Sequence, residues 1–170
     1  MKPGMLAVIV SQNTRYIMNF IHNYINKIAT QFSRADFMLD GKEDDQHFGP
    51  LQIKFQDGSY LTFDENGDAE TIYALVEPIE FEDKNNPNIE NWSEIVLNWT
   101  KLINSRLIQF KVLQSIENKI VGCKLYFEKE KAITYYNYYD DAKVAFENDK
   151  LLESYIEFEK LEWVSLPKFN

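Results

Sequence analysis

The strongest constraint on the fold is a strand-like alternation of apolar and polar residues that begins at Leu51. The segments Leu51–Phe55 and Leu61–Phe63 both follow this period, which is typical of strands with one buried face. A two-residue loop between them would place their aliphatic side chains on opposite faces. A three-residue loop, Gln56-Asp57-Gly58, pairs Ile53 with Leu61 and puts glycine at the left-handed position of a bulged turn. The sequence therefore predicts a hairpin with a three-residue loop.

The same pattern returns 72 positions later in the chain. A shift of 72 positions superposes seven residues of the first hairpin on similar residues of the second. The first set is Leu51, Ile53, Phe55, Leu61, Thr62, Phe63 and Asp68, and the second set, in the same order, is Cys123, Leu125, Phe127, Ile133, Thr134, Tyr135 and Asp140. This match predicts an internal duplication of a helix-plus-hairpin unit, with pseudo-repeats 14–83 and 91–166. The alternative is that any two amphipathic hairpins match at period 2. Because a bulged turn would force Glu130 to positive φ, the pattern predicts a longer loop in the second hairpin.

Two segments show helical spacing instead. Between Tyr16 and Phe32 the apolar residues recur at intervals of three and four, which gathers them on one stripe of a helix. Similar spacing runs from Trp92 to Asn104, and it follows Asn91 and Glu94, a pair that resembles a capping box. The sequence predicts an amphipathic helix over each range.

The remaining segments indicate short strands joined by turns. The extended segments are Thr71–Phe81, which Pro78 interrupts, and Leu107–Leu113, Ile120–Glu128, Ala132–Tyr138 and Ala142–Phe146. The tail from Leu151 to Leu166 fits a helix at its start and a strand near its end, and both interpretations stay open. Helices interspersed with runs of strands indicate an α+β fold with a mainly antiparallel sheet.

Length and composition indicate one folded domain. The chain has 170 residues, of which 45% are hydrophobic, so a single domain over residues 1–170 is expected. No apolar run approaches the ~20 residues of a transmembrane helix, and Met5–Val10 is too short for a secretory signal. A lone cysteine, Cys123, leaves no internal disulfide. A cytoplasmic protein without membrane contact is the resulting expectation.

Motifs for catalysis or metal binding are weak in this sequence. A Cys/His dyad would require His47 beside Cys123 without a supporting motif, and GxSxG, HExxH, CxxC and Gly-rich phosphate-loop patterns are absent. The stretch Asp64–Glu70 resembles a calcium loop, but Gly67 stands fourth rather than sixth, and Leu75 occupies the position that needs a bidentate carboxylate. We therefore expect no catalytic site, no metal and no cofactor.

Tyrosines and acidic turns form the most unusual pattern. The two acidic turns occupy corresponding ends of the two predicted hairpins, and they share one rim if the sheet is continuous. On the second hairpin, alternation leaves two tyrosines on the face opposite the core, where they suit a protein interface. The alternative is that a helix or strand covers this face. The predicted partner-binding surface comprises Asp64, Glu65, Asp68, Tyr136, Tyr138, Tyr139, Asp140 and Asp141.

The segments GPLQIKFQDGSYLTFDENGDAE and VGCKLYFEKEKAITYYNYYDDA, within a small acidic chain, resemble immunity proteins of bacterial polymorphic-toxin and contact-dependent growth-inhibition systems. The resemblance implies a non-catalytic module that binds a basic toxin domain, such as a nuclease, and masks its active site. The net charge of −9 argues against direct nucleic-acid binding and favours a basic protein partner. Two alternatives remain open: a small-molecule-binding domain or enzyme with a pocket on the sheet face, and a self-associating structural subunit.

Overall fold

A computed structural model describes residues 14–39, 42–43, 49–65, 70–79, 91–139 and 141–165. Within these ranges the chain forms two helices and eleven strands. The elements are α1 (Thr14–His22), β1 (Ile28–Leu39), β2 (Lys42–Glu43), β3 (Leu51–Phe55), β4 (Tyr60–Glu65), β5 (Ile72–Leu75), β6 (Asn91–Val96), β7 (Ser105–Gln114), β8 (Ile120–Phe127), β9 (Lys131–Tyr138), β10 (Asp141–Phe146), α2 (Lys150–Glu159) and β11 (Glu162–Val164).

The strands form a sheet of two antiparallel meanders. Its order is β10-β9-β8-β7-β1-β3-β4-β5, with β2 and β6 on β1 and β11 on β7. We call β1, β3, β4 and β5 the first wing and β7 to β10 the second wing. The wings join where Ile28 and Ala29 of β1 pair with Arg106 and Ser105 of β7. The expected α+β class with a mainly antiparallel sheet is confirmed.

The hydrophobic core lies where the two wings face each other. The rings of Phe63 on β4 and Tyr135 on β9 are 5.9 Å apart, although four strands separate β4 from β9 in the sheet order. The sheet therefore curls over on itself. The segment that follows α1 closes part of the core, since the Tyr24 ring lies 5.2 Å from that of Phe55.

The first hairpin follows the sequence prediction. Ile53 pairs with Leu61 and Leu51 with Phe63, and these side chains are buried on one face. Gly58 has a φ of 83°, and its N–H donates to the carbonyl of Phe55 over 3.0 Å. The three-residue loop and its left-handed glycine are confirmed.

The second hairpin uses the same loop length, so the prediction of a longer loop is wrong. Phe127 pairs with Lys131, and Lys129 and Glu130 adopt φ angles of 64° and 58°. A non-glycine residue in this region costs about 1–2 kcal/mol. We attribute the tolerance of this cost to the register, which keeps Leu125 and Ile133 paired and buried in the core.

The predicted helix from Tyr16 to Phe32 is too long, because α1 ends at His22 and β1 begins at Ile28. A β-bulge between Ala29 and Gln31 shifts the register of β1. Ala29 and Phe32, three positions apart, are therefore both buried on a strand. The predicted helical stripe used Ile28 and Phe32, four positions apart, and both lie on this strand.

The predicted helix from Trp92 to Asn104 is wrong. Residues Asn91–Val96 form β6, which pairs with β1, and Glu94 accepts a cross-strand hydrogen bond from Gln31 over 3.2 Å. Helical spacing beyond β6 reflects a single turn, in which the N–H groups of Leu102 and Ile103 donate to the carbonyl of Trp99. Without this helix, the similarity of the two halves is limited to their strands.

Both interpretations of the tail apply, to different segments. Asp149 caps α2 by accepting hydrogen bonds from the N–H groups of Leu151 and Leu152, at 2.9 and 3.1 Å. Lys160 ends the helix with a left-handed φ of 53°. Strand β11 then pairs with β7. Helix α2 covers the outer face of the second wing.

Candidate protein-binding surface

One rim of the sheet brings together the ends of β4 and β9. The side-chain amide of Asn137 on β9 donates to a carboxylate oxygen of Glu65 on β4 over 3.0 Å. The last residues of the two strands therefore lie at the same end of the molecule. Asp68 and Asp140 lie outside the described residues.

Asp64 is held within this rim and is not freely presented to solvent. Its carboxylate accepts hydrogen bonds from the Tyr73 hydroxyl at 2.9 Å and from the N–H of Glu65 at 2.8 Å. Burial raises the pKa of Asp64, and these two hydrogen bonds oppose the rise. Burial and the nearby Asp64 charge also raise the pKa of Tyr73. Asp64 thus has a structural role at the end of β4.

Tyr136 does not belong to the exposed surface that the sequence predicted. It is 1% exposed, because α2 packs over the second face of β9 and places Tyr155 6.0 Å from its ring. This is the covering helix left open as the alternative. Tyr138 is half-buried and lies 5.0 Å from Tyr155 in an edge-to-face arrangement.

Tyr139 is the exposed member of this tyrosine cluster. It is 53% exposed, and its hydroxyl donates to Glu159 of α2 over 3.0 Å. Its ring contacts those of Tyr138 and Tyr155 at 4.7 and 5.4 Å. The positive φ of 48° at Tyr139 turns the chain at the end of β9. These contacts fix an exposed aromatic ring beside a carboxylate.

A groove of 480 Å³ adjoins Tyr139, and we call it the rim groove. Its walls come from the turn between β7 and β8, the end of β9, the last turn of α2 and Glu70. Lys119 in the turn forms ion pairs with Glu70 and with Glu117, the latter at 3.3 Å. With Glu159 included, three carboxylates and one ammonium group line the groove, which leaves an excess of negative charge.

Sequence reasoning missed several of these groups. Ile116 lies in the turn between β7 and β8, lines the rim groove and is 78% exposed. A single exposed apolar residue is common on protein surfaces, so Ile116 gives no specific signal in the sequence. Glu117, Tyr155 and Glu159 give none either, because only long-range packing brings them beside Tyr139.

Asp141 is the remaining predicted site residue. It begins β10, pairs with Tyr138 across the strands, and lies 4.0 Å from the ammonium group of Lys143. Its side chain is about one-third exposed, at 32%. Asp141 is therefore near the tyrosine cluster but is not among the residues that line the rim groove.

Of the Cys/His dyad considered in the sequence, the structure describes the cysteine. Cys123 is fully buried in the core, and burial raises the pKa of its thiol. His22 is exposed on α1, and His47 lies outside the described residues. Among the residues that the structure describes, no three His, Cys, Asp or Glu side chains are grouped to hold a metal ion. No helix in this part of the chain is both long and apolar enough to cross a membrane.

Comparisons with protein-family models, with curated proteins and with solved structures find no match to this chain. The described residues define an α+β protein with an acidic groove at one rim of its sheet. We therefore infer function from the geometry and charge of that groove.

Proposed function

We propose that this chain is a non-catalytic, acidic protein-binding module that acts as an immunity protein. In this role it neutralises a basic toxin domain, such as a nuclease, by masking its active site. The observation that carries the proposal is the rim groove, where carboxylates lie beside the exposed side chains of Tyr139 and Ile116. This combination suits a basic protein surface that also offers apolar contacts.

The charge of the groove supports fast and selective association. Glu70, Glu117 and Glu159 outnumber Lys119, and the whole chain carries a net charge of −9. Complementary charges steer two proteins together and disfavour acidic partners. A nuclease cleft that binds phosphates offers lysine and arginine side chains. Those side chains can pair with the groove carboxylates, which then stand in the place of phosphates.

Tyr139 supplies the anchoring contact. Its ring is packed against Tyr138 and Tyr155, and its hydroxyl is held by Glu159. A tyrosine that is ordered before binding loses little conformational entropy in the complex. Aromatic anchors of this kind dominate the binding free energy of many interfaces. The carboxylates thus contribute orientation and association rate, and the tyrosine contributes lifetime.

The experiment starts from the reading frame next to the gene for this chain, since immunity genes follow toxin genes. The encoded domain is purified and mixed with this protein, and the mass of the complex and the residual toxin activity are measured. The proposal predicts a 1:1 complex and loss of activity at equimolar protein. Failure to form a complex with an active, basic neighbouring domain would contradict the proposal. If the mass of the isolated protein rises with its concentration, the self-associating alternative is favoured.

Two charge reversals in the groove and one control reversal elsewhere locate the surface. Glu117→Lys and Glu159→Lys change the rim groove, whereas Glu130→Lys changes an exposed turn at the opposite end of β9. The eight residues of β9 span roughly 26 Å at about 3.3 Å per residue. Only the groove variants should weaken neutralisation. Equal effects of all three substitutions would indicate a nonspecific influence of net charge.

A further inference from the structure

A second groove, of 560 Å³, lies on the second wing, and none of its residues line the rim groove. It lies between the turn that follows β6 and the end of the β9–β10 hairpin. Hydrogen bonds to β1 hold both ends of this turn. The N–H of Leu97 donates to the carbonyl of Phe32, and the N–H of Asn104 donates to the carbonyl of Ala29. This excursion from the sheet places Trp99 against Phe146. We call the cavity the Trp99 groove.

Trp99 and Phe146 form an aromatic corner in this groove. Their ring centroids are 5.3 Å apart and their planes meet at 83°. Trp99 also contacts the core residue Phe32 at 5.3 Å, which holds the indole in position. Leu102 and Ala132 add buried apolar surface, while Phe146 is 51% exposed. A flat aromatic ligand can stack on one ring of such a corner and present its edge to the other.

Two lysines, Lys101 and Lys131, line the groove. The ammonium group of Lys131 donates to the carbonyl of Lys101 over 2.6 Å, which holds the Lys131 side chain beside the groove. Within the described part of the chain, neither lysine forms an ion pair with a carboxylate. Glu147 also lines the groove, so the two lysines outnumber one carboxylate.

We propose that the Trp99 groove binds a small aromatic anion, with its ring in the Trp99–Phe146 corner and its carboxylate or sulfonate on Lys101 and Lys131. The volume falls within the range of about 300–1,000 Å³ that is usual for small-ligand sites. An open groove suits a ligand whose charged end stays partly hydrated. A cation would meet two ammonium groups, and an aliphatic anion would leave the aromatic corner unfilled.

The test uses 2-naphthoate and its uncharged analogue 2-naphthamide as probes, with binding followed by amide chemical shifts of the full chain. Naphthoate should bind saturably at one site, with shifts concentrated at residues 98–102, 131–132 and 146–147. Naphthamide should bind about tenfold more weakly, because its neutral amide makes weaker hydrogen bonds to the two lysines than a carboxylate does. Equal affinities for the two probes, or naphthoate shifts located elsewhere, would overturn the proposal.

Variants separate the charged and apolar parts of the site. Lys101→Gln with Lys131→Gln should weaken naphthoate about tenfold and leave naphthamide unchanged. Phe146→Ala should weaken both probes, and Ile116→Ala in the rim groove should weaken neither. The lysine and phenylalanine side chains are at least partly exposed, and unchanged thermal unfolding confirms that each variant folds. Full naphthoate affinity in the double lysine variant would refute the assignment.

Discussion

The side chain of Asn137 donates a hydrogen bond to that of Glu65 over 3.0 Å, and these two residues lie 72 positions apart. The offset equals the 72-position shift of the sequence pattern, so the contact joins two positions near the ends of β4 and β9 that this shift superposes. Phe63 and Tyr135, which pack together in the core, have the same relationship. At these two contacts the wings meet through residues that lie 72 positions apart.

The 72-position offset does not extend to the outer strands of the two wings. In the second wing Tyr135 pairs with Val144, whereas in the first wing Phe63 pairs with Ala74. A shift of 72 positions would carry Ala74 to Phe146, so the outer strands differ in register by two residues. Common ancestry of the two halves stays a prediction.

The hydrogen bond between Asn137 and Glu65 should contribute measurably to stability. Asn137→Ala removes the donor and leaves the Glu65 carboxylate without that partner, which should lower the free energy of unfolding by about 1–3 kcal/mol. Urea unfolding of Asn137→Ala, Glu65→Ala and the double variant measures the coupling between them. A coupling near zero would contradict a direct role for this hydrogen bond in joining the wings.

The free energy of unfolding should respond in opposite ways when glycine is removed from the first hairpin loop and when glycine is introduced into the second. Gly58 has positive φ, and no atom lies within 4 Å of the point that a Cβ would occupy there. Gly58→Ala should therefore lower the free energy of unfolding by about 1 kcal/mol through backbone strain alone. Glu130→Gly removes the same strain in the second loop and should be neutral or stabilising. A clear loss of stability in Glu130→Gly, measured by urea unfolding, would show that the turn needs the Glu130 side chain.

Gly122 reports on the burial of Tyr136. A Cβ atom at this position would lie 2.9 Å from Cβ of Tyr136 and 3.1 Å from the carbonyl oxygen of Tyr135. Gly122→Ala should therefore destabilise the protein by about 1–3 kcal/mol, because strands β8 and β9 must separate. Thermal unfolding gives the change, and Ala132→Gly is the reference for a small-residue change on the neighbouring strand. An unchanged melting temperature for Gly122→Ala would contradict the close packing at Tyr136.

Stability should fall at alkaline pH. Burial raises the pKa of Tyr24 to about 12 from its usual 10.0, with a smaller contribution from Asp57. Between these values the unfolded chain loses a proton that the folded chain keeps, so the free energy of unfolding decreases as pH rises. The limiting slope is about 1.4 kcal/mol per pH unit for each such tyrosine. Tyr24→Phe should reduce this slope in urea unfolding at pH 10 to 12, and an identical slope would exclude Tyr24 as a source.

The sequence predicted those features that follow from the alternation of apolar and polar residues within a short segment. Alternation and Gly58 determine the first hairpin, and both are visible in a short stretch of residues. The helix prediction through Phe32 failed because the interval of four residues between Ile28 and Phe32 fits the period of a strand as well as that of a helix, and both residues lie on β1. The prediction that Tyr136 belongs to an exposed surface failed for a different reason. Helix α2 covers this residue, and no local pattern shows which face of a sheet a distant helix will pack against.

The association rate with the toxin domain encoded beside this chain tests the central claim most directly. Surface plasmon resonance at several salt concentrations should show that Glu117→Lys and Glu159→Lys slow association and flatten its salt dependence, because the steering field is weakened. Tyr139→Ala should mainly raise the dissociation rate. Unchanged association and dissociation rates in all three variants, with Glu130→Lys as the reference, would contradict binding through the rim groove.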